Sequence, residues 1–240
     1  MINNDNIIAL ATASGLGAIS IIRISGPKTI EITDSLFESK DGASLLEKDS
    51  HTITLGNIVD NSRVIDEVLV SLFVSPKSYT GENVIEISCH GSSYVQKEII
   101  KLFIDNGCRA ANAGEFTLRA FLNGKIDLSQ AEAVADLISS KSSASHKIAL
   151  DQMRGGFKSD IKELRQQLLD FASLIELELD FTEEDVEFAN LKDLTKLIHK
   201  IKNTISVLID SFATGNVIKN GIPIVIAGEP NTGKSTLLNA

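Results

Sequence analysis

Val84-Ile85-Glu86-Ile87-Ser88-Cys89 (residues 84–89), followed by His90-Gly91-Ser92 and a helical pattern from Ser92 to Asn106 that Gly107 stops, is the stretch that decides the fold. A β-favouring run leads straight into a helix, because Ser at a helix start can cap free N–H groups and Gly ends a helix readily. Alternation puts Glu86 on the strand face of Val84 and Ser88. Working outward, Ile7-Ile8-Ala9-Leu10-Ala11, Ile19 to Ile24, Thr52 to Ile58 and Val68 to Val74 are further short β-rich runs, several bounded by Gly, Pro, Asn or Ser. Lys28 to Phe37, behind Gly26-Pro27, reads as a second helix. Residues 1–125 therefore read as a mixed α/β domain, and the chain as α+β.

From Asp127 the period changes. Ser129 with Glu132 three residues later forms a capping box, Leu128 and Ala133 can staple it, and an alanine-rich helical stretch runs on to Gly155-Gly156. Phe157, Ile161, Leu164, Leu168, Ala172, Ile175 and Leu179 then recur at helical spacing, as do Leu191, Leu194, Ile198, Ile201, Ile205, Leu208 and Phe212. Three long amphipathic helices predict a bundle over residues 126–220. If further helices of a longer protein belong in it, this chain exposes an apolar stripe.

Residues 221–240 carry a third element. Gly228-Glu229-Pro230-Asn231-Thr232-Gly233-Lys234-Ser235 matches the phosphate-binding pattern G-x-x-x-x-G-K-[ST], behind a predicted strand Ile222 to Ala227 and ahead of a helix opened by Ser235-Thr236-Leu237-Leu238. In that geometry loop N–H groups wrap phosphates, Lys234 reaches the terminal phosphates and the Ser235 hydroxyl coordinates magnesium. Gly228, Asn231, Thr232, Gly233, Lys234, Ser235 and Thr236 are the predicted nucleotide-binding residues. Hydrolysis also needs a magnesium-binding Asp and a group that positions water, both downstream of such a loop, and only Thr236 to Ala240 follow here. The chain is therefore expected to be the front part of a larger nucleotidase that does not turn over nucleotide by itself, and no catalytic residue is assigned.

Hydrophobic residues make up 43% of the 240, enough for a core, and the formal net charge of −9 argues against a broad nucleic-acid footprint. Cys89 and Cys108 have neither C-x-x-C nor zinc spacing and read as reduced, inert thiols of a cytoplasmic protein. The N-terminus lacks a basic leader and no apolar run approaches membrane-spanning length, so neither secretion nor membrane insertion is expected.

Arg23 shares a strand face with Ile19 and Ile21, so its guanidinium needs a partner, and Glu86 is a carboxylate in a similar setting. The two form either a structural ion pair or the walls of a polar ligand pocket, and on local grounds the structural reading is favoured. Lys125, after the Asn123-Gly124 turn signal, could point into an interdomain cleft, although an exposed lysine is the simpler local reading. His90-Gly91-Ser92 could hold an anion at a helix start, with a plain N-cap favoured. Glu183-Glu184-Asp185 and Glu187 read as a solvated acidic turn rather than a metal cluster.

Taken together, five ordered blocks resemble the bacterial tRNA modification GTPases of the MnmE (TrmE) family. They are Ile21 to Gly26, Ser78 to Glu86, Cys89-His90-Gly91, Gly114-Glu115-Phe116 through Ile138, and the acidic turn, ahead of the phosphate loop with its flanks Ile226 to Ala240. Ala13-Ser14 and Ala113 depart from it where the family often has proline. The resemblance implies a domain similar to the tetrahydrofolate-binding domain of aminomethyltransferases, which dimerises and binds a 5-formyltetrahydrofolate-type one-carbon donor through Arg23, Glu86 and Lys125. All three residues thereby become ligand contacts, against the structural readings that local pattern favours. It further implies a GTPase domain inserted in the helical domain, a potassium ion held through Asn231, magnesium through Ser235, and work with MnmG (GidA) on the wobble uridine of tRNA, adding a carboxymethylaminomethyl group. The competing expectations are a stand-alone folate-binding dimerisation module without turnover, and the front part of a generic phosphate-loop ATPase.

Overall fold

A computed structural model describes residues 5–155, 158–180, 191–220, 225–229 and 232–238, in two units, 1–131 and 132–240. The first unit carries seven strands, β1 (Asn6–Leu10), β2 (Ile19–Ser25), β3 (Phe37–Ser39), β4 (Thr52–Asp60), β5 (Arg63–Phe73), β6 (Val84–His90) and β7 (Cys108–Ala110). Its helices are α1 (Thr29–Leu36), α2 (Ser93–Asp105) and α3 (Glu115–Leu122). The strands form one sheet in the order β3-β4-β5-β6-β2-β1-β7, antiparallel except for β1 with β7.

Alternation sorts the two faces. Ile22 and Ile24 on β2, Val68, Val70 and Leu72 on β5, and Ile85 and Ile87 on β6 join Ile30 and Leu36 of α1 and Ile99, Leu102 and Phe103 of α2 in one core. Each fully buried side chain of this size contributes about 1.5–3 kcal/mol. The residues between them point the other way, so Ala9, Arg23, Glu86 and Ser71 form a row across four paired strands on the opposite face.

Local chemistry fixes the connections. Gly26, at the β2–α1 turn, has φ of +148°, and a Cβ there would lie 2.6 Å from Asn6 Oδ1 and 2.7 Å from the Asp5 carbonyl oxygen, so only glycine fits. Ser92 caps α2, its hydroxyl accepting from the Tyr94 N–H, as the plain N-cap reading expects. Gly107 (φ +100°) ends that helix and leads into β7. Strands β3 and β7, of three residues each, and the charged first half of β5 lie outside the β-rich runs of the sequence.

After the first unit's core come α4 (Leu128–Ser139), α5 (Ser143–Met153), α6 (Lys158–Asp180), α7 (Leu191–Asn220) and the short α8 (Lys234–Leu238). The expected single stretch to Gly155 is two helices. At Ser139 and Ser140 the hydroxyls bond back to the Asp136 and Leu137 carbonyls, and Ser142 starts α5 with a capping box closed by Ser145. Nor does Ser129 cap α4. Helix formation begins at Leu128, so Asp127 is the cap: its Oδ1 accepts from Gln130 N at 2.9 Å and Gln130 Oε1 accepts from Asp127 N at 3.0 Å. Ser129 donates to the same Asp127 oxygen, and Leu128 stays exposed.

The predicted strand Ile222 to Ala227 is not seen in its described part. Residues 225–229 are irregular, Val225 is 86% exposed, and no strand pairs with them among the described residues. A strand needs a neighbour to bond its alternate N–H and C=O groups. The acidic turn at Glu183 to Glu187 lies outside the described residues.

Candidate functional site

Arg23 and Glu86 are brought together by register. Arg23 of β2 sits directly opposite Glu86 of β6, and its Nη2 and Nε both approach Glu86 Oε1, at 2.6 and 2.8 Å. Among the described residues no donor reaches Oε2. The ion pair that local pattern favours is thus what the register forms. The two side chains are cross-strand neighbours, each about one quarter exposed. Two aromatic rings complete the setting, with the guanidinium carbon 5.1 Å from the Tyr79 ring centre and 5.7 Å from that of Phe116. The Tyr79 hydroxyl is 2.8 Å from Thr117 Oγ1, tying the β5–β6 connection to α3. A pair this exposed contributes only about 0–1 kcal/mol to stability. A cation–π contact adds a comparable ~0.5–1 kcal/mol.

Lys125 stands elsewhere. Its ammonium, expected to point into an interdomain cleft, donates to the Pro76 carbonyl at 2.9 Å and lines a cavity of about 530 Å³. Glu82, Asn83 and Asn123 share that cavity, while Arg23 and Glu86 are not among its lining residues. The β5–β6 connection joins the two places, since it offers Tyr79 to Arg23 and Gly81 and Glu82 to the cavity.

That connection is held by a buried cluster that sequence reasoning missed. Arg119 of α3, 4% exposed, donates to the Asp5 carbonyl and carboxylate, to both Glu82 oxygens at 3.2 Å and to Glu115 at 3.3 Å. Arg109 of β7 adds bonds to Asp5 and Glu115, and the Ser25 hydroxyl donates to Glu82 beside Thr80. The Arg109 guanidinium is the main reason Glu115 titrates low, at about 2, and it lowers Asp5 as well. Burial alone would lower Arg119, yet the carboxylates of Asp5, Glu82 and Glu115 hold it above its ordinary value. The i,i+4 spacing of Glu115 and Arg119 on a helix is the one sequence signal that could have found this cluster. For Tyr79 and Phe116 there was none, because their meeting with Arg23 is non-local.

Burial pushes both thiols up to about 11, matching inert cysteines. His90 pairs through Nδ1 with Asp66 at 2.7 Å. In the phosphate loop, Lys234 Nζ donates to the Gly228 carbonyl at 2.8 Å, to that of Glu229, and to Thr232 Oγ1 at 3.3 Å. Gly233 (φ +84°) leads into α8, so the loop-to-helix step falls where the motif requires it. Gly228, Thr232, Ser235 and Thr236 lie in described residues as well, whereas Asn231 lies outside them.

Residues 6–125 thus carry a mixed sheet with an Arg–Glu pair against two aromatic rings, and residues 228–235 carry a phosphate-loop motif. The family model for the "GTP-binding protein TrmE N-terminus" matches residues 6–125, and that for the "MnmE helical domain" matches 128–226. The chain belongs to the MnmE (TrmE) family. It is 63% identical over 237 residues to a tRNA modification GTPase MnmE of Christiangramia forsetii, covering 99% of this chain and 50% of that protein. With proteins of the same name it shares 64% identity in Flavobacterium johnsoniae (100% of this chain, 52% of that protein) and 58% in Bacteroides thetaiotaomicron (99% and 51%). The chain thus spans about half the length of the curated relatives it matches.

Proposed function

We propose that these residues form the folate-binding and first helical part of a GTP-hydrolysing tRNA modification enzyme. The observation that carries the reading is identity of 58–64% over essentially the whole chain to proteins named tRNA modification GTPase MnmE. In this reading residues 1–125 bind a 5-formyltetrahydrofolate-type donor and dimerise, 126–220 begin the helical domain, and 221–240 begin the GTPase domain. Glu86 takes the donor-rich pterin edge, while Arg23 and Lys125 take carboxylates of the tail. The chemistry fits the residues present, since Glu86 is a partly exposed carboxylate and Tyr79 and Phe116 offer flat apolar walls beside the Arg23–Glu86 pair. The folate supplies a one-carbon unit when bound; the protein's part is to recognise and orient it.

Lys234, Ser235 with magnesium, and Asn231 with potassium serve GTP, alongside Gly228, Thr232, Gly233 and Thr236. The whole enzyme works with MnmG on the wobble uridine of tRNA in the cytoplasm. Among the described residues no helix is long and apolar enough to cross a membrane. Residues 1–240 alone are expected to hydrolyse GTP at background, with or without potassium, and turnover abolished by Lys234→Ala would contradict this. Sedimentation should give a homodimer at micromolar concentration, and a clean monomer would count against it.

Calorimetric titration with 5-formyltetrahydrofolate tests the site. Losing a charge-assisted contact costs about 1.5–3 kcal/mol, so Glu86→Ala should weaken binding about tenfold or more. Absence of binding by a well-folded wild type, or a large drop in melting temperature with unchanged affinity, rejects the assignment.

A further inference from the structure

The contacts around Glu86 point to one more property of this site. The Glu86 carboxylate at one edge and the Tyr79 and Phe116 rings beside the guanidinium define a place for a flat group with parallel N–H donors, and the group that fills it here is the protein's own Arg23. A guanidinium and the amino-pyrimidinone edge of a pterin share the same fragment, a carbon bearing nitrogen donors in one plane. We propose that Arg23 is an internal stand-in for the pterin edge, so that a ligand must displace it from Glu86, after which the freed guanidinium is available to the ligand's carboxylates. The proposal rests on the folate reading of the site and adds to it a built-in selection for ligands that carry both a ring and an anionic tail.

Three observations support displacement over a permanent pair. Both Arg23 nitrogens converge on Oε1 and leave Oε2 without a protein donor among the described residues, so the pairing is not the two-oxygen fork that a planar donor pair can make. The pair is one quarter exposed and therefore inexpensive to open. The rings are held independently of Arg23: Tyr79 by Thr117, and Phe116 on a helix anchored through Arg119 and Glu115. Moving the guanidinium thus leaves the walls standing.

A ring without a tail must open the pair and receives nothing back from Arg23, whereas a folate recovers the cost through its carboxylates. Removing Arg23 should therefore affect the two ligands oppositely. Calorimetry on the whole chain, with 6-methyltetrahydropterin as the tail-less ring and 5-formyltetrahydrofolate as the complete ligand, reads this directly. Arg23→Ala should bind 6-methyltetrahydropterin about three- to tenfold more tightly than wild type, the size of an exposed ion pair with a cation–π contact, while binding the folate less tightly. Arg23→Gln, which keeps much of the side-chain volume, should give the same crossed pattern and stands in if the alanine variant does not fold. Pterin affinity unchanged or lowered in a folded variant, with wild type still binding the folate, overturns the stand-in but leaves the folate reading intact. Failure of folded wild type and both folded variants to bind either ligand overturns both.

Discussion

The sheet unit and the helical unit use apolar residues in opposite ways. In the first, alternate residues of β2, β5 and β6 close against α1 and α2, and Phe103, Ile99, Ile22 and Ile87 have no exposed surface. In the second, the buried apolar side chains among the described residues are Ala133, Ala149 and Leu164, while Ile198, Ile205, Val207 and Ile209 along α7 are 42–67% exposed. Both regions have the hydrophobic period that their secondary structure requires. Among the described residues only the first has the partners that turn a period into a core, so amphipathicity alone indicates a helix but not what it packs against.

The sharpest way to break this contrast is a matched pair of truncations. Phe103→Ala should cost about 3–5 kcal/mol in denaturant unfolding, because a fully buried ring leaves a cavity. Ile205→Ala, at a site 42% exposed, should cost about 1 kcal/mol or less. Equal costs would mean that the α7 stripe is covered in solution.

Next in size is Arg119→Ala. It strands the carboxylates of Asp5, Glu82 and Glu115 around a site only 4% exposed, and the loss should be about 3 kcal/mol, measured the same way. Lys200→Ala, whose contacts to Glu163 and Gln167 are exposed, should change stability by about 0.5 kcal/mol or less. A similar loss for the two would erase the distinction between buried and solvated charge.

The same cluster also sets a pH dependence. Glu115 titrates at about 2 in the folded chain against an ordinary 4.5, and Asp5 is lowered too, so the folded state favours their charged forms. Their contribution is fully present above about pH 4.5 and is lost as pH falls toward 2. Chemical denaturation across that range should show the sheet unit weakening, and Glu115→Gln should flatten the slope. A slope unchanged by the substitution would remove Glu115 from the cluster's contribution.

How much of this could be read from residues alone follows from what is local. Strands β2, β4 and β6 announce themselves because each holds enough alternating residues to show a period of two. Three-residue β3 and β7 cannot, and the first half of β5, Arg63 to Glu67, hides behind charges that pair with Glu98 and Lys40. Arg23 and Glu86 were identifiable as polar residues on β faces. An ion pair between them was favoured on local grounds, but the register that makes them direct neighbours was not legible, since it depends on β2 lying beside β6 although the two residues are 63 positions apart in the chain. The helix break at residues 140–142 was written in serines, yet the alanine-rich pattern on either side outweighed them.

Hydrogen exchange by mass spectrometry, with and without 5-formyltetrahydrofolate, tests the central contrast most directly. Slow exchange is expected in β2, β5, β6 and α2, fast exchange in α6 and α7, and ligand-dependent protection confined to residues 75–83 and α3. Protection of α7 equal to that of β6, or a folate response in α6 and α7 with none in residues 75–83, would contradict it.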